Sequence, residues 1–339
     1  MLKTPKHILV IRLSAMGDVA MTIPVIKAFT QQHPEVKLTV LTRSFFKPIF
    51  RNIPNVKVHI ADVKGDHKSI SGLFKLSNEL KKLEIEAVAD LHNVLRSNML
   101  KLFLRGVPFY QIDKGRREKH ALTTGKIFKQ LKTTHVRYAD VFEKMGFKID
   151  LSKPIFPESN NFDEVTSSVI GNNSKPMIGI APFAAFKGKE YPLSLMEQVV
   201  KELSKDFQVI LFGGRGKEKE KLERLASKKE NVINLSGKLN LNQELDVISN
   251  LKIMIAMDSG NAHLAAMLGI KVLTIWGVTH PYAGFYPFNQ PNSNSLLSDR
   301  ERFPLIPTSV YGNKYPEGYE KAIQTISPEF IIKKVKEII

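Results

Sequence analysis

The chain has 339 residues, enough for two ordinary domains with separate cores. Its 43% hydrophobic and 24% charged content is that of a globular protein, and the absence of Cys excludes disulfides and thiolate metal sites. A formal net charge of +17 calls for an anionic partner: nucleic acid, anionic lipid or a phosphorylated substrate.

The amino-terminal stretch 1–12 has too short an apolar run, and no small-residue cleavage site after it, to be a signal peptide. It reads as a strand. No stretch is apolar for long enough to span a bilayer, so the expected location is cytoplasmic, at most resting on a membrane surface. Strands are expected at 7–13, 36–41, 56–60, 86–90 and 109–112, alternating with helices at 18–32, 45–51, 69–83, 93–104 and 135–146. This alternation argues for a parallel sheet covered on both faces.

The first strand runs into Ser14-Ala15-Met16-Gly17-Asp18 at a helix entry, the place where open α/β sheets bind ligands. The loop lacks G-x-G-x-x-G, and the second strand ends in Thr42-Arg43 rather than an acid, so a dinucleotide site is disfavoured. Asp18 either caps the helix or serves as a base. Arg43 and Arg96, the latter in Asp90-Leu91-His92-Asn93-Val94-Leu95-Arg96-Ser97, are further candidates, with a structural Asp90–Arg96 salt bridge as the plainer reading. Between Lys114 and Arg137 stand eight Lys/Arg against one acid, Glu118, with His120 and His135 among them. Such one-sidedness, interrupted by Leu122, Ile127, Phe128 and Leu131, suits an acidic, phosphorylated glycolipid. Arg116, Arg117, Lys119 and His120 are its expected contacts, each cation near an anionic surface being worth on the order of 1 kcal/mol.

Residues 151–176, rich in Ser, Asn and Pro, form the best linker, with a short helical piece near 162–170. A second alternating series follows, with strands at 177–181, 207–212, 231–234, 253–257 and 271–276 and helices at 193–205, 216–228, 242–249 and 260–268. The loop after its first strand carries Lys187 and Lys189. Gly213-Gly214 and Leu235-Ser236-Gly237-Lys238 follow the next two strands, and either Glu218 or Glu220 is within reach of a ribose, a choice the sequence leaves open. Met257-Asp258-Ser259-Gly260-Asn261-Ala262-His263 turns a buried strand directly into an alanine-rich helix, leaving backbone N–H donors and a positive dipole end for a phosphate. Thr279 lies on the next strand-end loop, and Trp276 reads as core. The last stretch, 328–339, has helical spacing.

Two groups of residues together resemble the ADP-heptose:lipopolysaccharide heptosyltransferases of glycosyltransferase family 9. One is the opening Ile8-Leu9-Val10-Ile11-Arg12-Leu13-Ser14-Ala15-Met16-Gly17-Asp18 with Thr22-Ile23-Pro24. The other is Phe212-Gly213-Gly214, Leu235-Ser236-Gly237, Met257 to His263 and Ile275-Trp276-Gly277-Val278-Thr279, which fall in the family's order. The resemblance implies a GT-B fold, two Rossmann-like doubly wound domains facing across a central cleft. The expected boundaries are an acceptor domain at 1–160, a nucleotide-sugar domain at 175–325, and a helix at 326–339 packing back on the amino-terminal domain. It implies Asp18 as catalytic base, Lys189, or else Lys187, on the donor's phosphates, Gly213 and Gly214 lining the nucleotide pocket, and Asp258, Ser259, Gly260, His263 and Thr279 as further donor-binding residues. The implied donor is ADP-heptose, with no other cofactor and no metal. Asp-x-Asp, the metal-holding motif of the other common transferase fold, does not occur in the chain.

Three functions compete at this point. One is inverting, metal-independent heptose transfer to a lipopolysaccharide core acceptor at the membrane surface. The second keeps the fold with another nucleotide sugar or acceptor, since fold does not fix the donor. The third is a non-catalytic binder of nucleic acid or anionic polysaccharide; it lacks the aromatic sheet faces of RNA-binding folds, and nucleic acid is not the expected partner.

Overall fold

The computed structural model describes residues 4–339; residues 1–3 of the expected amino-terminal domain lie outside the described residues. The chain divides into two compact units, 4–114 with 134–155, and 115–133 with 156–339. Each is an open parallel sheet flanked by helices.

In chain order the first unit contains β1 (His7–Ile11), α1 (Met16–Ala20), α2 (Thr22–Gln32), β2 (Lys37–Thr42), β3 (Val56–Ile60), α3 (Ile70–Lys81), β4 (Ala87–Asp90), α4 (Leu95–Phe103) and β5 (Phe109–Gln111). The chain passes through α5 (Arg116–Thr123), in the second unit, before α6 (Thr134–Glu143) returns to the first. The sheet order is β3-β2-β1-β4-β5, all parallel. Ile8 to Ile11 of β1 are fully buried because both faces of this central strand are covered, which is why the strand reads as an unbroken apolar run. Strand order reverses at β1, with β2 on one side and β4 on the other. That reversal opens a crevice at the carboxyl ends of β1 and β4. The helix expected at 45–51 is a 3₁₀ helix over Ser44–Phe50, with Pro48 inside it.

The second unit continues with α7 (Glu164–Ile170), β6 (Met177–Ala181), α8 (Leu193–Leu203), β7 (Gln208–Leu211), α9 (Lys217–Ala226), β8 (Val232–Asn234), α10 (Leu241–Ser249), β9 (Ile253–Met257), α11 (Gly260–Met267), β10 (Lys271–Trp276), β11 (Ser295–Leu297) and α12 (Pro328–Ile338). Its order is β11-β10-β9-β6-β7-β8, again parallel, with the reversal at β6. Trp276 is 1% exposed, as core.

Two expectations about boundaries are corrected. The segment 115–133 belongs with the second unit. Leu122 and Leu131 pack on Ala283 with Ile127, Tyr282 and Phe285, the Leu131 amide donates to the Tyr282 carbonyl, and the Arg300 guanidinium stacks 3.5 Å from the Phe128 ring centroid. The apolar residues interrupting the basic run are therefore its anchors. The carboxyl-terminal helix α12, expected to pack back on the amino-terminal domain, has its core contacts in the second unit. Ile331 and Val335 are fully buried in the core of the second, against α8 and β10, which places the helix where its apolar stripe finds an apolar face.

Candidate active site

At the switch point of the first sheet, β1 ends and α1 begins one short loop later. Asp18 is the third residue of α1, and its Oδ2 accepts the Ala15 amide at 3.3 Å, so the capping reading is correct as far as it goes. The same oxygen receives Arg12 Nη2 at 2.8 Å. Arg12 is 7% exposed, and its Nη1 donates to the Leu91 carbonyl at 2.7 Å, which ties the end of β1 to the end of β4. Tyr138 of α6 places its ring beneath the guanidinium and donates its hydroxyl to the Asp18 carbonyl. The Asp18 side chain keeps 28% of its surface, so the carboxylate is oriented from below and open above. Arg12 was not singled out from the sequence. The signal was there, since a buried arginine at the end of an apolar strand needs an anionic partner.

His92 stands beside this pair, its Nε2 3.4 Å from Ser14 Oγ. Burial, with the Arg12 and Lys114 charges, pushes its pKa down to about 4, so the imidazole is neutral. Asp90 and Arg96 do not pair with each other. Asp90 is wholly buried and accepts the His92 and Asn93 amides and Gln111 Nε2, while Arg96 is exposed and reaches the Val63 carbonyl. Arg43, at the carboxyl end of β2, lies over the Phe46 ring at 5.4 Å.

In the second unit three strand ends converge. Lys189 Nζ lies 3.3 Å from Asp258 Oδ2, and Thr279 Oγ1 donates to the same oxygen at 3.0 Å. Lys189, Asp258 and Thr279 come from the loops after β6, β9 and β10, so they meet only in the fold. Lys187 is exposed, with no partner for its ammonium among the described residues, whereas Lys189 Nζ reaches Asp258. Lys189 is held there by backbone packing. A Cβ on Gly277 would lie 2.2 Å from the Gly188 carbonyl oxygen, and the Val278 amide donates to that oxygen at 3.0 Å. Glycine at 277 is thus required for close approach of the two loops.

Ser259 is the N-cap residue of α11, yet its side chain makes no capping bond, and its buried Oγ has no partner among the described residues. The first-turn N–H groups beside it have no carbonyl a turn earlier to bond. A cation and a helix start that carries an unpartnered hydroxyl therefore stand on adjoining loops, a set of donors of the kind that suits a phosphate group. Asp258, itself an anion, is the common partner that holds Lys189 and Thr279 side by side.

Further along the sheet, the Gly214 amide donates to Glu218 Oε2 at 2.6 Å and Ser236 Oγ donates to the Gly214 carbonyl, closing the turn after β7 onto the turn after β8. Leu222 and Phe183 crowd Gly213, where a Cβ would lie 2.8 Å from Leu222 Cδ1. His263 is buried in α11. Of the expected acceptor contacts, Arg116, Arg117 and His120 are exposed on α5. Lys119 is not. It is 9% exposed, with its ammonium 4.1 Å from the Phe285 ring centroid, and it anchors α5 by a cation–π contact.

The sequence profile of glycosyltransferase family 9 (heptosyltransferase) matches residues 73–304. The chain belongs to that family. This family-9 glycosyltransferase is 25% identical to lipopolysaccharide heptosyltransferase 2 of Escherichia coli strain K12 over 352 residues, 98% of each chain. Its fold is similar to that of a family-9 glycosyltransferase from Veillonella parvula DSM 2008, with a TM-score of 0.77 at 20% identity, covering 98% and 97% of the two chains. It is also similar to the E. coli heptosyltransferase WaaC solved with ADP, at TM-score 0.68 and 17% identity, covering 98% and 100%. Both units thus have the GT-B type of sheet. Among the described residues no helix is long and apolar enough to cross a membrane, and no group of three or more His, Asp or Glu is arranged to hold a metal ion.

Proposed function

We propose that this family-9 enzyme transfers heptose from ADP-heptose to a lipopolysaccharide core acceptor, with inversion and without a metal ion. The observation that carries the reading is the convergence of Lys189, Thr279 and the unsatisfied Ser259 hydroxyl at the start of α11. The relatives' names supply the sugar and acceptor, and a heptosyltransferase of the same fold has been solved with ADP.

The reaction needs the acceptor hydroxyl deprotonated and the departing diphosphate stabilised. Asp18, oriented by Arg12, takes the acceptor proton as the hydroxyl oxygen attacks the anomeric carbon. The bond from that carbon to the β-phosphate breaks, and ADP leaves with the electron pair. Lys189, Ser259 Oγ and the first-turn amides of α11 receive the charge on the diphosphate, the work a divalent cation performs in metal-dependent transferases. The exposed Arg116, Arg117 and His120 of α5, with Arg43 and Arg96, meet the anionic acceptor at the membrane's cytoplasmic surface.

The test is transfer of heptose from ADP-heptose to heptose-free core acceptor. The wild-type protein should form product at the same rate with EDTA present, and Asp18→Asn should cut turnover at least ~100-fold with ADP affinity unchanged. No transfer by the wild type, loss on chelation, or near-normal turnover of the variant each removes the corresponding part of the reading.

A further inference from the structure

The buried stripe of α10 runs Leu241, Leu245 and Ile248, and Glu244 falls on the same face, in the helix's first turn. A carboxylate on that face is out of place unless something meets it. No described residue hydrogen-bonds it. Its charged neighbour is Arg215, whose stem passes over the turn after β8, within 3.7 Å of where a Cβ on Gly237 would stand. Burial pushes its pKa up to about 7, so near neutrality the group is available both as a donor and as an acceptor.

Strand order gives this position a meaning. The diphosphate site lies over β9 and β6, and the sheet continues to β7 and then β8. At ~4.8 Å per strand the loops after β7 and β8 stand about 10 and 14 Å from β9. A nucleoside running along this carboxyl edge meets the Gly213–Gly214 turn with its ribose and the β8–α10 segment with its base. From this placement we infer that Glu244 reads the base of the donor nucleotide, its carboxyl accepting from the exocyclic 6-amino group of an adenine. The inference rests on the nucleotide-sugar reading above and adds the element that selects the base.

The experiment is calorimetric titration of the full-length protein, wild type and Glu244→Leu, with ADP and with IDP, which carries an oxygen in place of the 6-amino group. Leucine suits the apolar stripe, so the variant keeps the fold. Glu244→Gln, which retains an acceptor and a donor, serves as the conservative variant. The wild type should prefer ADP by about 10-fold, the worth of one such hydrogen bond with its desolvation. Glu244→Leu should lose that preference through weaker ADP binding with IDP affinity unchanged, and Glu244→Gln should retain it. A leucine variant that still prefers ADP as the wild type does, or a wild type that binds both nucleotides equally, overturns the role of Glu244 and leaves the donor site standing. A wild type that binds neither nucleotide contradicts the donor reading itself, and this inference with it.

Discussion

Arg12 shows how one buried side chain sets the geometry of a reactive one. Its guanidinium spends one nitrogen on the Leu91 carbonyl and another on Asp18, so the carboxylate is fixed by a group that is itself fixed by the sheet. Arg12→Met keeps the volume and the contact with Tyr138 but releases Asp18. Turnover should fall on the order of 10- to 100-fold, the scale of a small misplacement of a reacting group. ADP affinity should stay unchanged, because the donor residues lie in the other unit; a fall in ADP affinity with normal turnover would show that Arg12 serves the donor instead. Asp18 was legible from its place after an apolar strand and a small-residue loop. Arg12 was not, because its partner is identified by the fold of the β4 end and not by spacing along the chain.

Elements carry the next lesson, in the loops after β6 and β10. Lys189 reaches Asp258 because Gly188 and Gly277 let two backbones touch. A methyl group at 277 has no room, since the atom it meets is a backbone oxygen. Gly277→Ala should therefore destabilise the fold by roughly 1–3 kcal/mol, the usual cost of overpacking. It should also weaken ADP binding by displacing Lys189. Thermal unfolding with and without ADP separates the two effects, and an unchanged melting temperature would show that the loops are not packed as described. The strand–loop–helix alternation was legible throughout because local periodicity and strand-end glycines report it directly. Less legible were the elements whose partners are distant in sequence. The stretch 115–133 carries apolar residues that anchor it on Tyr282 and Phe285, and α12 carries a stripe that fits α8. Their own patterns say that they pack, not against what. The placement of Lys119 was hidden for the same reason: in sequence it is one of eight basic residues, and only the fold sets it over Phe285.

For the molecule as a whole, charge and titration shape stability. Net charge of +17 leaves the chain with a surplus of cations, which suits anionic substrates and favours binding at low ionic strength. Burial lowers His92 and His280 to about 4, so both stabilise the folded chain above their unfolded pKa near 6.5 and lose that contribution as pH falls toward 4. Glu244 acts in the opposite sense. Its folded pKa, raised to about 7, means that its stabilising effect is full below about 4.5 and fades as pH rises through 7. Glu244→Gln removes that titration. The variant's melting temperature should therefore gain on the wild type's steadily between pH 4.5 and 8, and a constant difference over that range would show that the carboxyl is not buried.

The claim on which the account turns is that Lys189, beside Asp258, Thr279 and Ser259, holds the diphosphate of the donor. Calorimetric titration of ADP into wild-type protein, Lys189→Met and Asp18→Asn tests it most directly. The account predicts that Lys189→Met weakens ADP binding about 10- to 100-fold, the worth of a charge-assisted bond to phosphate, while Asp18→Asn binds as the wild type does. Equal ADP affinity in wild type and Lys189→Met would contradict it.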